Sequence, residues 1–148
     1  MIKEFNSFLN KKECNNVINF FKKNSIDLQT YNDTIILNII KNFSERKKIL
    51  NKIKKFNLKL NYDQIVLWPS GSLKHLHKDG VSNINNDFTA VCYLNNEYKG
   101  GRTIIDNKFI DNSLGKLVLF HSKELLHGVE QVIGKRIVYI SWWKKVIF

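Results

Sequence analysis

Hydrophobic positions early in the chain recur at helical spacing. Cys14, Val17, Ile18 and Phe21 fall on one side of a helix, because residues three and four apart stack along the same face. Just ahead of them, Asn10-Lys11-Lys12-Glu13 has the form of a capping box, with Asn10 as N-cap and Glu13 reaching back to the Asn10 backbone. The spacing predicts a helix through about Lys23, closed by Asn24 and Ser25. Thr34 to Ile40 reads as a strand. Ile49, Leu50, Ile53 and Phe56 then stripe a second helix that Ser44 is placed to cap.

From Leu58 onward the texture changes to short runs of β-branched and aromatic residues. The expected strands are Gln64–Trp68, Leu73–His77, Phe88–Leu94, Arg102–Ile105, Leu117–His121, His127–Val132 and Arg136–Trp142. Turn signals separate them, among them Pro69-Ser70-Gly71, Asp79-Gly80, Lys99-Gly100-Gly101 and Ile133-Gly134. Two helices followed by about seven or eight strands predict a mainly β fold, a jelly roll (double-stranded β-helix) with the helices packed outside one sheet. A single domain over 1–148 is expected, with helical support over about 1–57 and the jelly-roll core over about 58–143.

Composition changes this picture little. The two cysteines, Cys14 and Cys92, sit in apolar patterns and read as small buried hydrophobes, which suits a reducing compartment. Neither an apolar leader nor a run of membrane-spanning length is visible, so a cytoplasmic location and no membrane association are expected. The chain carries 24 Lys and Arg against 13 Asp and Glu, a formal net charge of +11. Nearly all of it is lysine, and the Lys/Asn/Ile bias is one that an AT-rich genome produces. The densest run, Arg46-Lys47-Lys48 through Lys52, Lys54 and Lys55, falls on the second helix and reads first as a solvated face. A nucleic-acid partner is disfavoured but stays open.

Candidate chemistry centres on His77-Lys78-Asp79, with His127 about fifty residues on and Arg136 nine residues later. Two imidazoles and one carboxylate can hold one face of an Fe(II) ion and leave its other positions open. In an extended segment His77 and Asp79 share a side, since side chains alternate with period two. Arg136 shares a face with Val138, Ile140 and Trp142, a face that looks buried, where an unpaired guanidinium is costly and a carboxylate fits its planar fork. On spacing alone, His127 as a satisfied core histidine, His77-x-Asp79 as turn chemistry and Arg136 paired to a core Asp all remain open.

Taken in order, the motifs between Gln64 and Trp142 resemble the prolyl 4-hydroxylase-like branch of the Fe(II)- and 2-oxoglutarate-dependent dioxygenases. Trp68-Pro69-Ser70-Gly71 resembles the turn ahead of His-x-Asp, Tyr93-Leu94-Asn95 a Tyr-Leu-Asn strand end, and Gly100-Gly101-Arg102-Thr103 a Gly-Gly-x-Thr segment. Gly115-Lys116-Leu117-Val118-Leu119-Phe120, His127-Gly128-Val129-Glu130-Gln131-Val132 and Gly134-Lys135-Arg136 complete the pattern. The resemblance implies His77, Asp79 and His127 as iron ligands, and Arg136 and Tyr93 on the distal carboxylate of 2-oxoglutarate. It also implies Thr103 lining the cosubstrate slot and Trp142 walling it. Fe(II), 2-oxoglutarate and O2 are the implied cofactors, with ascorbate supporting turnover.

The implied substrate is a prolyl residue in a peptide or protein, then a free amino acid or other small molecule. Trp68, His75 and Arg102 are the substrate-side candidates, with the loops near Gly80–Asp87 and Asn107–Asn112 beside them. Trp68 stands where many relatives carry Tyr, and Arg102 stands at the usually acidic position of Gly-Gly-x-Thr. A nucleic-acid dealkylase of the same superfamily is a weaker alternative, since Ile137-Val138-Tyr139-Ile140-Ser141-Trp142 lacks the second arginine. A cupin-type metal enzyme using His75-x-His77 lacks its downstream glutamate.

Overall fold

In the computed structural model, which describes residues 1–80 and 86–146, the strand Arg136–Lys145 shows how the layers arise. Ile137, Tyr139 and Trp143 point to one side and Arg136, Val138 and Trp142 to the other, as a pleated strand requires. In chain order the elements are β1 (Ile2–Phe5), α1 (Lys11–Lys23), β2 (Gln29–Tyr31), β3 (Thr34–Asn38), α2 (Ser44–Lys54), β4 (Leu58–Trp68) and β5 (Lys74–His77). They continue with β6 (Phe88–Tyr93), β7 (Lys99–Gly100), β8 (Thr103–Ile105), β9 (Lys108–Ile110), β10 (Leu117–Phe120), β11 (His127–Val129), β12 (Val132–Ile133) and β13 (Arg136–Lys145).

These strands form a seven-stranded sheet in the order β1-β10-β6-β13-β4-β3-β2 and a four-stranded sheet in the order β5-β11-β8-β9. A two-stranded ladder, β12-β7, lies at one end. All the pairings are antiparallel. The architecture is the expected jelly roll. Both helices cover the outer face of the large sheet, where Cys14, Val17, Phe21, Ile49 and Ile53 meet Ile65, Tyr139 and Trp143. A second apolar cluster, including Val66, Val91, Tyr93, Ile105 and Val138, fills the space between the sheets.

The capping box of α1 is formed: Asn10 N–H donates to Glu13 Oε1 at 3.0 Å and Glu13 N–H to Asn10 Oδ1 at 2.8 Å. The start of α2 differs from expectation. Phe43 occupies the N-cap position without a side-chain cap, and the Ser44 hydroxyl instead donates to Glu45 Oε1 at 2.7 Å. Packing decides this boundary, because Phe43 is buried edge-on against Tyr139. The basic run of α2 is partly structural. Arg46 makes a two-pronged contact with Asp63 (2.6 and 3.1 Å), Lys48 donates to Phe8 O at 2.7 Å, and Lys52 lies 4.6 Å from the Phe5 ring. Four short strands, β1, β2, β7 and β9, were not among those the pattern predicts. They span two to four residues each, and β2 is exposed throughout, so none of the four carries a readable alternation. No helix among the described residues is long and apolar enough to cross a membrane.

Candidate active site

β5 and β11 lie side by side with His77 directly opposite His127, which sets the two rings 4.3 Å apart. Gly128 permits this approach, since a Cβ there would sit 2.6 Å from the Lys74 carbonyl oxygen. Asp79 follows the strand end in a turn, and its backbone N–H donates to Ser122 O at 2.9 Å. Its Oδ1 lies 3.5 Å from His77 Nε2 and 3.2 Å from His127 Nε2. All three candidate ligand atoms fall within 4.8 Å of one another.

The surrounding contacts fix which atoms are offered. His77 Nδ1 meets the His75 carbonyl at 2.8 Å and His127 Nδ1 meets the Leu125 carbonyl at 2.9 Å. A carbonyl only accepts, so each Nδ1 carries the proton and each Nε2 presents a lone pair. The Thr89 hydroxyl donates to Asp79 Oδ2 at 3.2 Å and lies 2.7 Å from the Ser122 hydroxyl. Burial pushes the Asp79 carboxyl up, but the His127 and His77 imidazoles, when they carry a second proton, outweigh it and hold it well below the usual carboxylate range. The Asp79 contact raises the His77 imidazole. Two nitrogens and one anionic oxygen converging on one point, each oriented by a neighbour, suit a divalent transition metal.

Beside this cluster opens a cavity of about 1180 Å³ between the sheets, lined by His77, Asp79, His127, Thr103, Arg136 and Trp142 among others. Arg136 is 1% exposed, and no carboxylate pairs with it among the described residues. Its guanidinium donates to Thr103 Oγ1 at 3.0 Å, and the Tyr93 hydroxyl shares that same threonine. The guanidinium carbon lies 5.1 Å from the Trp68 ring and 5.6 Å from the Tyr93 ring. Three buried donors around it have no partner among the described residues: Arg136 Nε, Trp68 Nε1 and the Tyr98 hydroxyl. Gly101 sits against both Tyr98 and Arg136, and burial pushes the Tyr98 phenol up to about 12. A buried cation with unpaired donors beside it can accept an anion, and a planar carboxylate matches its fork.

Most of the sequence candidates come together here. His77, Asp79 and His127 form the cluster, Arg136, Thr103 and Tyr93 form the slot, and Trp68, His75 and Trp142 line the same cavity or its rim. Arg102 does not join them. It pairs with Glu130 at 2.6 Å, lies over the Phe109 ring at 4.0 Å and is not among the cavity-lining residues. Neither do any of residues 107–112 line the cavity. Residues 81–85 of the expected substrate loop lie outside the described residues. Thr89, Ser122, Tyr98 and Tyr62 were not singled out from sequence. Tyr62 stacks on Trp142 at 4.3 Å, a contact set by their cross-strand register rather than by any local motif.

No family model matches the chain, and no curated protein matches it. Solved structures do. A collagen prolyl hydroxylase of Paramecium Bursaria Chlorella virus-1, in complex with 2-oxoglutarate, is 21% identical with a TM-score of 0.79 over 99% of this chain and 96% of that one. A prolyl-4-hydroxylase of Pseudomonas putida is 18% identical with a TM-score of 0.82 over 99% and 93%. A prolyl hydroxylase of Trichoplax adhaerens, solved with a peptide of the hypoxia inducible factor oxygen degradation domain, is 18% identical with a TM-score of 0.81 over 96% and 82%. At these identities the likeness establishes the fold, which is the jelly roll of the prolyl 4-hydroxylase-like 2-oxoglutarate oxygenases.

Proposed function

We propose that this chain is an Fe(II)- and 2-oxoglutarate-dependent dioxygenase that hydroxylates a prolyl residue in a peptide or protein. The observation that carries the reading is the buried Arg136 guanidinium, unpaired by any carboxylate among the described residues, on the wall of the cavity that also holds His77, Asp79 and His127. A metal cluster alone fits many chemistries. A metal cluster facing a carboxylate slot fits a reaction with an anionic cosubstrate.

In this reading His77 Nε2, His127 Nε2 and an Asp79 oxygen hold the iron, and Thr89 and Ser122 keep the carboxylate aimed. Arg136 and Thr103 bind the distal carboxylate of 2-oxoglutarate, with Tyr93 closing the slot. Bound together, iron, 2-oxoglutarate and O2 supply an oxidative decarboxylation to succinate and CO2 that hydroxylates a C–H bond. Val66, Val91 and Val138 keep the floor dry, which strengthens the charge contacts made there. Trp142 and Tyr62 wall the space where the substrate C–H is placed, with Trp68 and His75 at its margins. The cavity is larger than a free amino acid needs and extends to Tyr31 and Asp33 between β2 and β3, which suits a peptide.

The test is incubation of the Fe(II)-loaded protein with proline-containing peptides, 2-oxoglutarate, ascorbate and air, followed by mass spectrometry. The expected result is a peptide heavier by one oxygen atom, with one succinate per hydroxylation. If succinate never exceeds the metal-free control with any substrate, the dioxygenase reading fails. If succinate forms but only free amino acids are oxidised, the peptide part fails alone.

A further inference from the structure

The cavity face of the β4–β13 ribbon continues past the metal-ligand cluster. Its side chains come in cross-strand pairs: Val138 opposite Val66, Ile140 opposite Gln64, and Trp142 opposite Tyr62. The last pair is a stacked platform, with ring planes 17° apart. Immediately beyond it the register shifts, so that Asn61 has no opposite residue. Its amide is instead held by the buried Asn86 Oδ1 at 2.7 Å. Trp143 and Leu60 therefore turn into the helix-covered core, and the next pair, Lys144 opposite Lys59, falls on the same side of the ribbon as Tyr62 and Trp142, just beyond the residues that line the cavity.

Like charges directly opposite one another on a sheet repel. Both lysines are exposed, and neither has a carboxylate partner among the described residues. Lys74 and Lys78 also line the cavity, and apart from Asp79 the single carboxylate on the described cavity lining is Asp33. The exit from the aromatic platform is thus a two-cation pincer, flanked by the Asp87 carboxylate, which accepts the Lys145 backbone N–H at 2.8 Å and lies 3.8 Å from Lys123 Nζ.

We propose that the substrate is a peptide bearing an acidic side chain about two residues from the hydroxylated position, with the acid seated between Lys59 and Lys144. This rests on the peptide reading given above. Two residues along β13 cover about 6.8 Å, and two residues of an extended or polyproline peptide cover about 6–7 Å. A residue crossing the Tyr62–Trp142 platform thus puts its second neighbour over the lysine pair. Single-stranded nucleic acid also combines stacking with cations, but it needs a basic track carrying a succession of platforms. Here the densest basic run is tied into the fold through Arg46, Lys48 and Lys52, and the cavity offers one stacked pair.

The experiment loads the protein with Fe(II) and 2-oxoglutarate anaerobically, so that binding is measured without turnover. Fluorescein-labelled peptides with one proline and Glu, Ala or Lys two residues to either side are titrated by fluorescence anisotropy. The Glu peptide should bind at least about fivefold more tightly than the Ala peptide, as two exposed ion pairs allow at low salt. That preference should vanish in Lys59→Ala/Lys144→Ala and invert in Lys59→Glu/Lys144→Glu. It should persist in Lys22→Ala/Lys23→Ala, a change of equal charge at the exposed end of α1. Under air, the lysine double variant should raise KM for the Glu peptide by the same factor and leave kcat alone.

Equal binding of Glu and Ala peptides to the wild type overturns the proposal. So does a preference that survives both Lys59/Lys144 double variants, and so does tighter binding of oligothymidylate than of any peptide. A charge preference without any peptide oxidation in air supports the lysine pincer while sinking the prolyl hydroxylase reading. Hydroxylation indifferent to peptide charge does the reverse.

Discussion

Arg46 and Arg136 serve opposite faces of the same large sheet, and their surroundings differ. Arg46 reaches from α2 to Asp63, whose carboxylate also accepts the Tyr139 hydroxyl, so the cation arrives with its counter-ion built in. Arg136 is more deeply buried, yet among the described residues its single side-chain hydrogen bond goes to the neutral Thr103. Burying a cation without a carboxylate is costly unless a ligand supplies one. The helix-covered face of the β4–β13 ribbon is therefore built to be complete, and the cavity face is built to be completed. Mutations on the first should answer to stability, and those on the second to ligand affinity.

The largest effect expected on the cavity side is from Asp79→Ala. It removes the anionic member of the cluster while leaving two imidazoles whose Nδ1 contacts are untouched. Fe(II) binding by anaerobic titration should be lost over the accessible concentration range, with circular dichroism unchanged. Retained affinity would place the metal elsewhere and erase the distinction between the two faces.

On the helix side, Asp63→Ala strips Arg46 and Tyr139 of their shared acceptor at a position 5% exposed. Leaving a partly buried cation and a buried phenol unpaired should cost about 3 kcal/mol, which for a chain of this size lowers Tm by about 10 °C. The folded fraction should bind 2-oxoglutarate as the wild type does. A change in that affinity would show that the faces are coupled through the sheet.

Arg136→Leu sharpens the contrast from the other direction. Loss of the charge-assisted contacts should weaken 2-oxoglutarate binding by about a hundredfold, or ~3 kcal/mol, read from the charge-transfer band of the anaerobic Fe(II) protein. Because the guanidinium has no carboxylate to abandon, Tm should hold or rise. Equal cosubstrate affinity in the two proteins would make Arg136 a structural residue.

How much of this was legible in the sequence follows the range of the signal. Period-based elements were: α1 with its capping box, and the β-branched strands β6, β10 and β13. Strands of two to four residues, such as β2 and β7, were not, because their pairing is decided by distant partners. The cluster residues were found because a fixed motif order ties His77, Asp79, His127 and Arg136 together. Thr89, Ser122, Tyr98 and Tyr62 carry no such local mark. Tyr62 meets Trp142 only because β4 and β13 pair in one register. Arg102 had a readable sign: it alternates with Thr103, so when Thr103 lines the cavity, Arg102 faces out toward Phe109.

The smallest effect separates orientation from ligation. Thr89 is 2% exposed on β6, where its hydroxyl lies 3.2 Å from Asp79 Oδ2, the oxygen not directed at the histidines. Thr89→Val keeps the shape and removes the donor, which leaves that oxygen with no other side-chain donor among the described residues. Support of this kind around a ligand carboxylate is worth about tenfold in metal affinity, or ~1.4 kcal/mol. The Ser122 hydroxyl loses its 2.7 Å neighbour in the same change, so a small drop in Tm accompanies it. Cavity-face behaviour means that the iron titration shifts by about tenfold while 2-oxoglutarate affinity, measured at saturating iron, stays put. If Tm falls and the iron affinity does not move, Thr89 belongs with the residues that complete the fold, and the boundary between the two classes runs between Thr89 and Asp79.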